Sequence, residues 1–221
     1  VSALCAEHYF HRQGCGIFMR HRGENGLWSE IFCVADDAKG PFCVISDMSN
    51  QRHLIYVDTK NRLVYAIRKN GNWKKYTLSA LKDNICPVNM EIFPVSGRLN
   101  LIYSAKYDGK CVLVHCILGN HAKPHIIDTI SSDKFWIFCK KVYYINSSGA
   151  AGYADLSDEK PDTFCKICEN GNNISAYNYF GKEFLLHTKE CRLFVNSKEL
   201  VYDSRMEMPT MTCSKDKLYI M

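Results

Sequence analysis

The sequence has 221 residues, of which 47% are hydrophobic and 23% are charged, enough for one large folded domain or two small ones. The net charge of +5 comes from scattered basic residues, which argues against a nucleic-acid partner. No apolar run reaches the length of about 18 residues that a membrane-spanning helix needs. We therefore expect a folded domain that binds neither nucleic acid nor a membrane.

The predicted elements are short strands. Runs rich in Val, Ile, Tyr and Phe are separated by Gly, Asn, Asp and Lys, and Val88, Met90 and Ile92 alternate with Asn89, Glu91 and Phe93. The first residues supply three strands, near 5–11, 16–21 and 28–34. Four groups of four strands follow, near 41–46, 53–58, 63–68 and 73–78; 87–93, 99–104, 111–117 and 124–129; 134–139, 141–146, 150–155 and 163–168; and 174–180, 183–187, 191–195 and 199–203. The last strands lie near 208–213 and 217–220.

Two kinds of short sequence recur along these runs. An apolar and aromatic run appears at 53–57, 100–104, 141–145, 192–195 and 217–220. The turn sequence of residues 24–28, Glu-Asn-Gly-Leu-Trp, returns at residues 69–73 as Lys-Asn-Gly-Asn-Trp. Asn-Gly accepts the positive φ angles of tight hairpins, so these turns join consecutive antiparallel strands.

The groups begin about 40 to 47 residues apart, which resembles the repeat of β-propeller proteins over nearly the whole chain. This resemblance implies an all-β fold of four-stranded blades in a single domain, residues 1–221. Because the first group lacks an inner strand, we expect residues 208–213 to supply it, closing five blades by pairing of the N- and C-terminal strands. The alternative is an incomplete six-bladed propeller, in which residues 217–220 belong to a further blade.

The Asn-Gly-x-Trp turns place Trp28 and Trp73 at equivalent positions. The turn resembles the signature of lectin-type and sialidase-type propellers, although the full Asp-box of sialidases and the Gly-His and Trp-Asp pairs of tryptophan-aspartate repeats are absent. The resemblance implies a ligand-binding site in which Trp28 or Trp73 stacks on a sugar and Asn25 or Asn70 binds its hydroxyl groups. The alternative, which we favour, is that each Trp packs between neighbouring blades.

Twelve cysteines are present, and several lie in apolar strand-like runs, such as Cys33, Cys43 and Cys139. A free cysteine packs there as a small hydrophobe. We therefore expect most cysteines to be reduced and buried, and the protein to be cytoplasmic. If a signal peptide is removed before Val1, the protein is extracellular instead.

Metal-ligand patterns are weak. Cys165-x-x-Cys168 has no second pair at zinc-site spacing, so we expect two buried thiols. Cys116, His121 and His125 are spread over two strands and a turn. We therefore expect no metal and no cofactor.

Catalytic patterns are also weak. Five-bladed glycosidases carry three carboxylates on inner strands. Here only Glu91 lies within a predicted inner strand, while Asp47, Asp133 and Glu207 lie at strand edges. We expect no catalytic residues. The sequence thus predicts a non-enzymatic binding module for a protein or peptide partner; the second hypothesis is a carbohydrate-binding propeller, and the third is a glycoside hydrolase.

Overall fold

The computed structural model describes residues 2–5, 8–23, 25–82, 84–119, 123–157, 161, 164–179, 182–189, 192–202, 211–214 and 217–220. These residues form 22 β-strands and no helix, and among them no segment is a helix that could span a membrane. The chain divides into two compact units, Val1–Ile126 and Ile127–Met221. The predicted all-β class is confirmed.

The first unit is built from three four-stranded antiparallel sheets, each with its strands paired in chain order. The first sheet contains β1 (Ser2–Cys5), β2 (His8–Gln13), β3 (Gly16–His21) and β4 (Phe32–Ala35). The second contains β5 (Ala38–Ser46), β6 (Arg52–Asp58), β7 (Arg62–Lys69) and β8 (Asn72–Ala80). The third contains β9 (Cys86–Val95), β10 (Arg98–Tyr107), β11 (Lys110–Ile117) and β12 (His125–Ile130), the last of which crosses the boundary between the units.

The second unit repeats the same meander twice and ends in a hairpin. The fourth sheet contains β13 (Trp136–Phe138), β14 (Lys141–Ile145), β15 (Ala151–Asp155) and β16 (Cys165–Cys168). The fifth contains β17 (Asn173–Tyr179), β18 (Lys182–Lys189), β19 (Arg192–Val195) and β20 (Lys198–Tyr202). The strands β21 (Met211–Ser214) and β22 (Lys217–Ile220) form a two-stranded sheet. The grouping of strands in fours is therefore confirmed.

The N-terminal sheet differs from its prediction. The strand expected near 5–11 is two strands, because β1 and β2 pair as a local hairpin in which Cys5 lies opposite His8. The first sheet thus has four strands of its own and needs none from the C-terminal end. The described part of 208–213, Met211–Ser214, pairs instead with Lys217–Ile220. The described part of the predicted closing strand is therefore not paired with the first sheet, and residues 208–210 lie outside the described residues. The described residues form five four-stranded sheets and this two-stranded one.

Four of the five recurring apolar runs are the second strands of their sheets, and the run at 192–195 is the third strand, β19. The first unit shows why such strands are continuously apolar. Along β6, Leu54 and Tyr56 pack into a core with residues of the first sheet, whereas Ile55 and Val57 pack into a core with residues of the third. Side chains of a strand point alternately to its two faces, so a strand covered on both sides needs apolar residues at every position. The second sheet is therefore packed between the first and the third.

Candidate functional site

The second Asn-Gly turn is a two-residue hairpin loop. It joins β7 to β8, and both central residues have positive φ angles, 52° at Asn70 and 83° at Gly71. This combination is typical of a type I′ turn, whose twist matches that of the flanking strands. Arg68 then lies opposite Trp73 in the ladder. The turn sequence thus sets the position of Trp73 on the sheet.

The first Asn-Gly turn is one residue longer and folds differently. The backbone N–H of Gly23 donates to the Leu27 carbonyl at 2.8 Å, and that of Leu27 donates to the side-chain oxygen of Asn25 at 3.0 Å. The amide oxygen of Asn25 is therefore engaged in shaping the loop. Trp28 forms an isolated bridge with Arg22, and regular pairing resumes only at β4, so the strand predicted from residue 28 begins four residues later.

Each copy of the turn contains an arginine at an equivalent position, which the sequence analysis did not single out. Arg22 Nε donates to the carbonyl of Gly26 at 3.1 Å, and Arg68 Nε donates to the carbonyl of Gly71 at 3.4 Å. In each copy the same arginine lies across from the tryptophan. The signal was present in the sequence, because an arginine precedes each Asn-Gly by two or three residues.

Trp73 lies between the first two sheets. It is half-buried, packs against the core that these sheets share, and meets the ring of Phe10 edge-on with centroids 6.2 Å apart. Edge-to-face pairs of this kind stabilise packing. The position of Trp73 supports the structural interpretation of this residue, and the exposed Asn70 beside it serves the turn.

Trp28 lies in a different environment. It is 40% exposed, and the guanidinium of Arg20 lies over its ring at 4.9 Å. The same guanidinium lies 5.2 Å from the ring centre of Tyr9, which also meets Trp28 edge-on. Cation–π contacts at exposed sites contribute about 0.5–1 kcal/mol each, so Arg20 orients Trp28 without hiding it.

Several large apolar side chains close to Trp28 in the chain are open to solvent. Leu27 is 69% exposed, Ile31 is 59% exposed and Phe32 is 47% exposed. We call Leu27, Trp28, Ile31 and Phe32 the β3–β4 segment. Large apolar side chains concentrated in so short a stretch are typical of an interaction site, whereas single exposed ones are ordinary.

The β3–β4 segment is held in place by hydrogen bonds and ring contacts. The backbone N–H of Ser29 donates to the His21 carbonyl at 2.8 Å, and the hydroxyl of Ser29 accepts from the His21 N–H at 3.1 Å. The ring of His21 stacks on Phe32 with centroids 6.4 Å apart. The segment is thus preorganised, and Arg20 and Arg22 give it a positive border.

The carboxylates considered for catalysis belong to different elements of the chain. Glu91 lies in β9, where it keeps solvent access although burial raises the pKa of its carboxyl group. Asp133 lies in the second unit, just before β13, and Glu207 lies outside the described residues.

Asp47 takes part in a polar chain that sequence reasoning did not find. His53 joins it to Tyr65, with Nε2 3.1 Å from the Asp47 carboxylate and Nδ1 2.7 Å from the Tyr65 hydroxyl. Burial alone would raise the pKa of Asp47, but hydrogen bonds from Gln51 and His53 lower it. His53 is only 4% exposed. We therefore interpret these hydrogen bonds as structural: they connect β6 and β7 with the residue that follows β5.

The cysteines correct one expectation. The nine described cysteines are free thiols, and Cys43 is buried as expected. Cys33, Cys139 and Cys165, however, are exposed, and Cys168 is half-buried. Cys33 and Cys165 lie on the outermost strands of their sheets, where one edge faces solvent, which the apolar context in the sequence could not reveal.

The residues considered as metal ligands are only partly described. The rings of His115 and His125 meet edge-on with centroids 5.0 Å apart, and His121 lies outside the described residues. Within the part of the chain that the structure describes, no group of three or more His, Cys, Asp or Glu could hold a metal ion.

Comparison with known proteins identifies the fold. No family model and no curated protein matches the sequence. Among solved structures, a mutant of Aleuria aurantia lectin in complex with Fucα1-6GlcNAc matches at 11% identity and a TM-score of 0.56, covering 95% of this chain and 80% of that one. BBS1N in complex with ARL6DN matches at 10% identity and a TM-score of 0.58, covering 97% of this chain and 71% of that one. The WD40 domain of SCAP from fission yeast matches at 8% identity and a TM-score of 0.53, covering 100% of this chain and 61% of that one.

These neighbours and the repeated four-stranded sheets agree. The chain has the β-propeller fold, as the sequence predicted. At these identities the likeness concerns the fold alone, so any function has to be argued from the surface of this chain.

Proposed function

We propose that this β-propeller is a non-enzymatic binding module for a protein or peptide, which it holds on the β3–β4 segment. The observation that carries the proposal is the exposure of Leu27, Trp28, Ile31 and Phe32 on a loop fixed by hydrogen bonds. A preorganised apolar surface binds without first losing the conformational entropy of a mobile loop.

The border of the β3–β4 segment indicates the chemistry of the partner. Arg20 and Arg22 flank the apolar side chains, and the whole chain carries a net charge of +5. Complementary charge at the rim accelerates association and excludes partners of the same sign. We therefore propose a partner segment that combines an apolar anchor residue with neighbouring carboxylates.

A displayed library of random peptides, selected on the full chain, tests this proposal. Selected peptides should be rich in apolar and acidic residues. In fluorescence polarisation, Phe32→Ser should weaken their binding about tenfold or more, as expected of an anchor contact. Met48→Ser is the matched control, because Met48 is fully exposed in the β5–β6 turn and lies outside the β3–β4 segment. Equal binding by Phe32→Ser and wild type would refute the proposed surface.

A carbohydrate is the second candidate, favoured by the exposure of Trp28 beside Asn25 and by the fold shared with a lectin solved with a fucosylated disaccharide. Trp73 and Asn70 would contribute only through the shape of their turn, since Trp73 is packed against Phe10. Glycan-array binding that is lost in Trp28→Ala, with an unchanged circular dichroism spectrum, would favour this candidate. No signal on a broad array would exclude it.

The absence of catalysis is part of the proposal and has its own test. Hydrolysis of any member of a panel of aryl glycosides, abolished by Glu91→Gln, would establish a glycoside hydrolase in its place. We also keep a cytoplasmic location in the proposal. The nine described free thiols support it, because thiols stay reduced in that compartment.

A further inference from the structure

A group of basic side chains lies between the first two sheets, at the same end as the Asn-Gly turns. It consists of His8 at the start of β2, His21 at the end of β3, Arg52 at the start of β6 and Arg68 near the end of β7. We call these four residues the basic cluster. His8 is buried, and the other three are half-buried, so the cluster is partly exposed to solvent.

The imidazole of His8 lies between the two guanidinium groups. Arg52 Nη2 is 3.3 Å from its Nδ1, and Arg68 Nη1 is 3.4 Å from its Nε2. Arg52 and Arg68 are themselves directly opposite each other on β6 and β7, and the ring of His21 lies 5.8 Å from that of His8. Like charges directly opposite on paired strands are destabilising.

Within the basic cluster, hydrogen-bond donors outnumber acceptors. Burial and the charges of Arg52, Arg68 and His21 lower the pKa of His8 to about 4, so its ring is neutral at neutral pH. A neutral imidazole has one acceptor nitrogen and one N–H, while both guanidinium groups can only donate. One of the two arginines therefore points a donor at a donor.

No acidic side chain compensates this surplus within the described part of the chain. The ion pairs found there involve other residues, such as Arg62 with Asp58 and Arg192 with Glu199. The Nε of Arg52 is buried and has no hydrogen-bond partner. Burial and the neighbouring Arg52 lower the pKa of Arg68, as expected when no anion balances the pair.

We propose that the basic cluster binds a phosphate dianion, either inorganic phosphate or the head group of a phosphomonoester. Two guanidinium groups supply two positive charges and planar sets of donors that fit phosphate oxygens. A phosphomonoester is a dianion at neutral pH because its second pKa is about 6. Its oxygens would accept from Arg52, Arg68 and the N–H of His8, which removes the donor surplus.

The experiment is a titration of the full chain with sodium phosphate, O-phosphoserine and sodium acetate, followed by calorimetry and by NMR of the histidine rings. Phosphate and phosphoserine should bind saturably. Binding should raise the pKa of His8, because the anion offsets the two arginine charges. Arg52→Gln and Arg68→Gln should each weaken binding about tenfold or more, since each loses a charged hydrogen bond.

The variants should fold, because each relieves the repulsion between Arg52 and Arg68; the melting temperature in phosphate-free buffer checks this. Arg12→Gln is the matched control, since Arg12 bonds the Lys39 carbonyl outside the basic cluster. Binding of phosphoserine assigns the site to monoesters, and binding of phosphate alone assigns it to the free ion. Equal responses to acetate and phosphate, or an unchanged response in Arg52→Gln and Arg68→Gln, would overturn the proposal.

Discussion

Asp58 offers the sharpest test of the packing of the first unit. Its side chain is fully buried at the turn between β6 and β7. One carboxylate oxygen accepts from the backbone N–H groups of Lys60 and Arg62, at 3.0 and 2.8 Å. The other accepts from Arg62 Nε at 2.7 Å and lies 2.6 Å from Nη2. A single carboxylate thus satisfies four donors.

The contacts of Asp58 set the size of the effect. Asp58→Ala leaves the two backbone donors and the Arg62 guanidinium without this acceptor. Removing one partner of a buried ion pair costs about 3–5 kcal/mol. Since the Arg62 side chain is 36% exposed, its guanidinium turns to water, and we expect about 3 kcal/mol. In a domain of this size that lowers the melting temperature by roughly 6–12 °C. Asp58→Asn keeps the backbone bonds and should cost about half as much.

Urea unfolding followed by tryptophan fluorescence measures the loss of stability in Asp58→Ala and in Asp58→Asn. Burial alone would raise the pKa of Asp58, but the hydrogen bonds and charge of Arg62 outweigh it and lower the pKa. The stabilisation is therefore complete above the unfolded pKa of about 3.9 and is lost as pH falls through the lower folded value. The gap between wild type and Asp58→Asn should close in acid.

Asp108 supplies the control for Asp58. It lies in the corresponding turn between β10 and β11, is exposed, and accepts from Asn84 at 3.0 Å. Asp108→Asn should change stability by less than about 0.5 kcal/mol, as surface substitutions usually do. If Asp58→Asn is as stable as Asp108→Asn at neutral pH, the carboxylate does not organise the turn as described.

Three further predictions concern the turns, the tryptophans and the thiols. Trp73→Ala should destabilise by about 2–3 kcal/mol in urea unfolding and Trp28→Ala by clearly less, because only Trp73 fills space between sheets; equal losses would contradict the assigned packing. Gly71→Ala, at φ 83°, should cost about 1 kcal/mol, whereas Gly119→Ala, in open space, should be neutral or stabilising. Burial raises the pKa of Cys116 to about 11, so iodoacetamide should label it only after unfolding, and mass spectrometry of native protein would reveal any exception.

Local patterns in the sequence predicted the strands well. The run at 53–58 corresponds to β6 (Arg52–Asp58), and the run at 63–68 corresponds to β7 (Arg62–Lys69). An apolar run of strand length bounded by turn residues is recognisable because both signals come from neighbours in the chain. The strand predicted at 28–34 begins only at Phe32, because Ser29 bonds back to His21 and holds the preceding residues outside the ladder.

The basic cluster could not be predicted from its residue types. His8 contacts Arg52 and Arg68, which are 44 and 60 residues away in the chain. Histidine and arginine in strands usually face solvent, so nothing in their local sequence marks them. The prediction for Cys33 was wrong for a related reason. Its apolar neighbours predicted burial, but it lies on an edge strand and is exposed.

The sequence by itself determined the repeated four-stranded meander, its turns and hence the β-propeller fold, because alternation and turn conformation depend on a few residues adjacent in the chain. Tertiary structure alone decided that Trp73 is packed while Trp28 is exposed, and that two arginines share one neutral histidine. Exposure and charge environment depend on which sheet lies opposite a residue. Two copies of one turn therefore carry different roles.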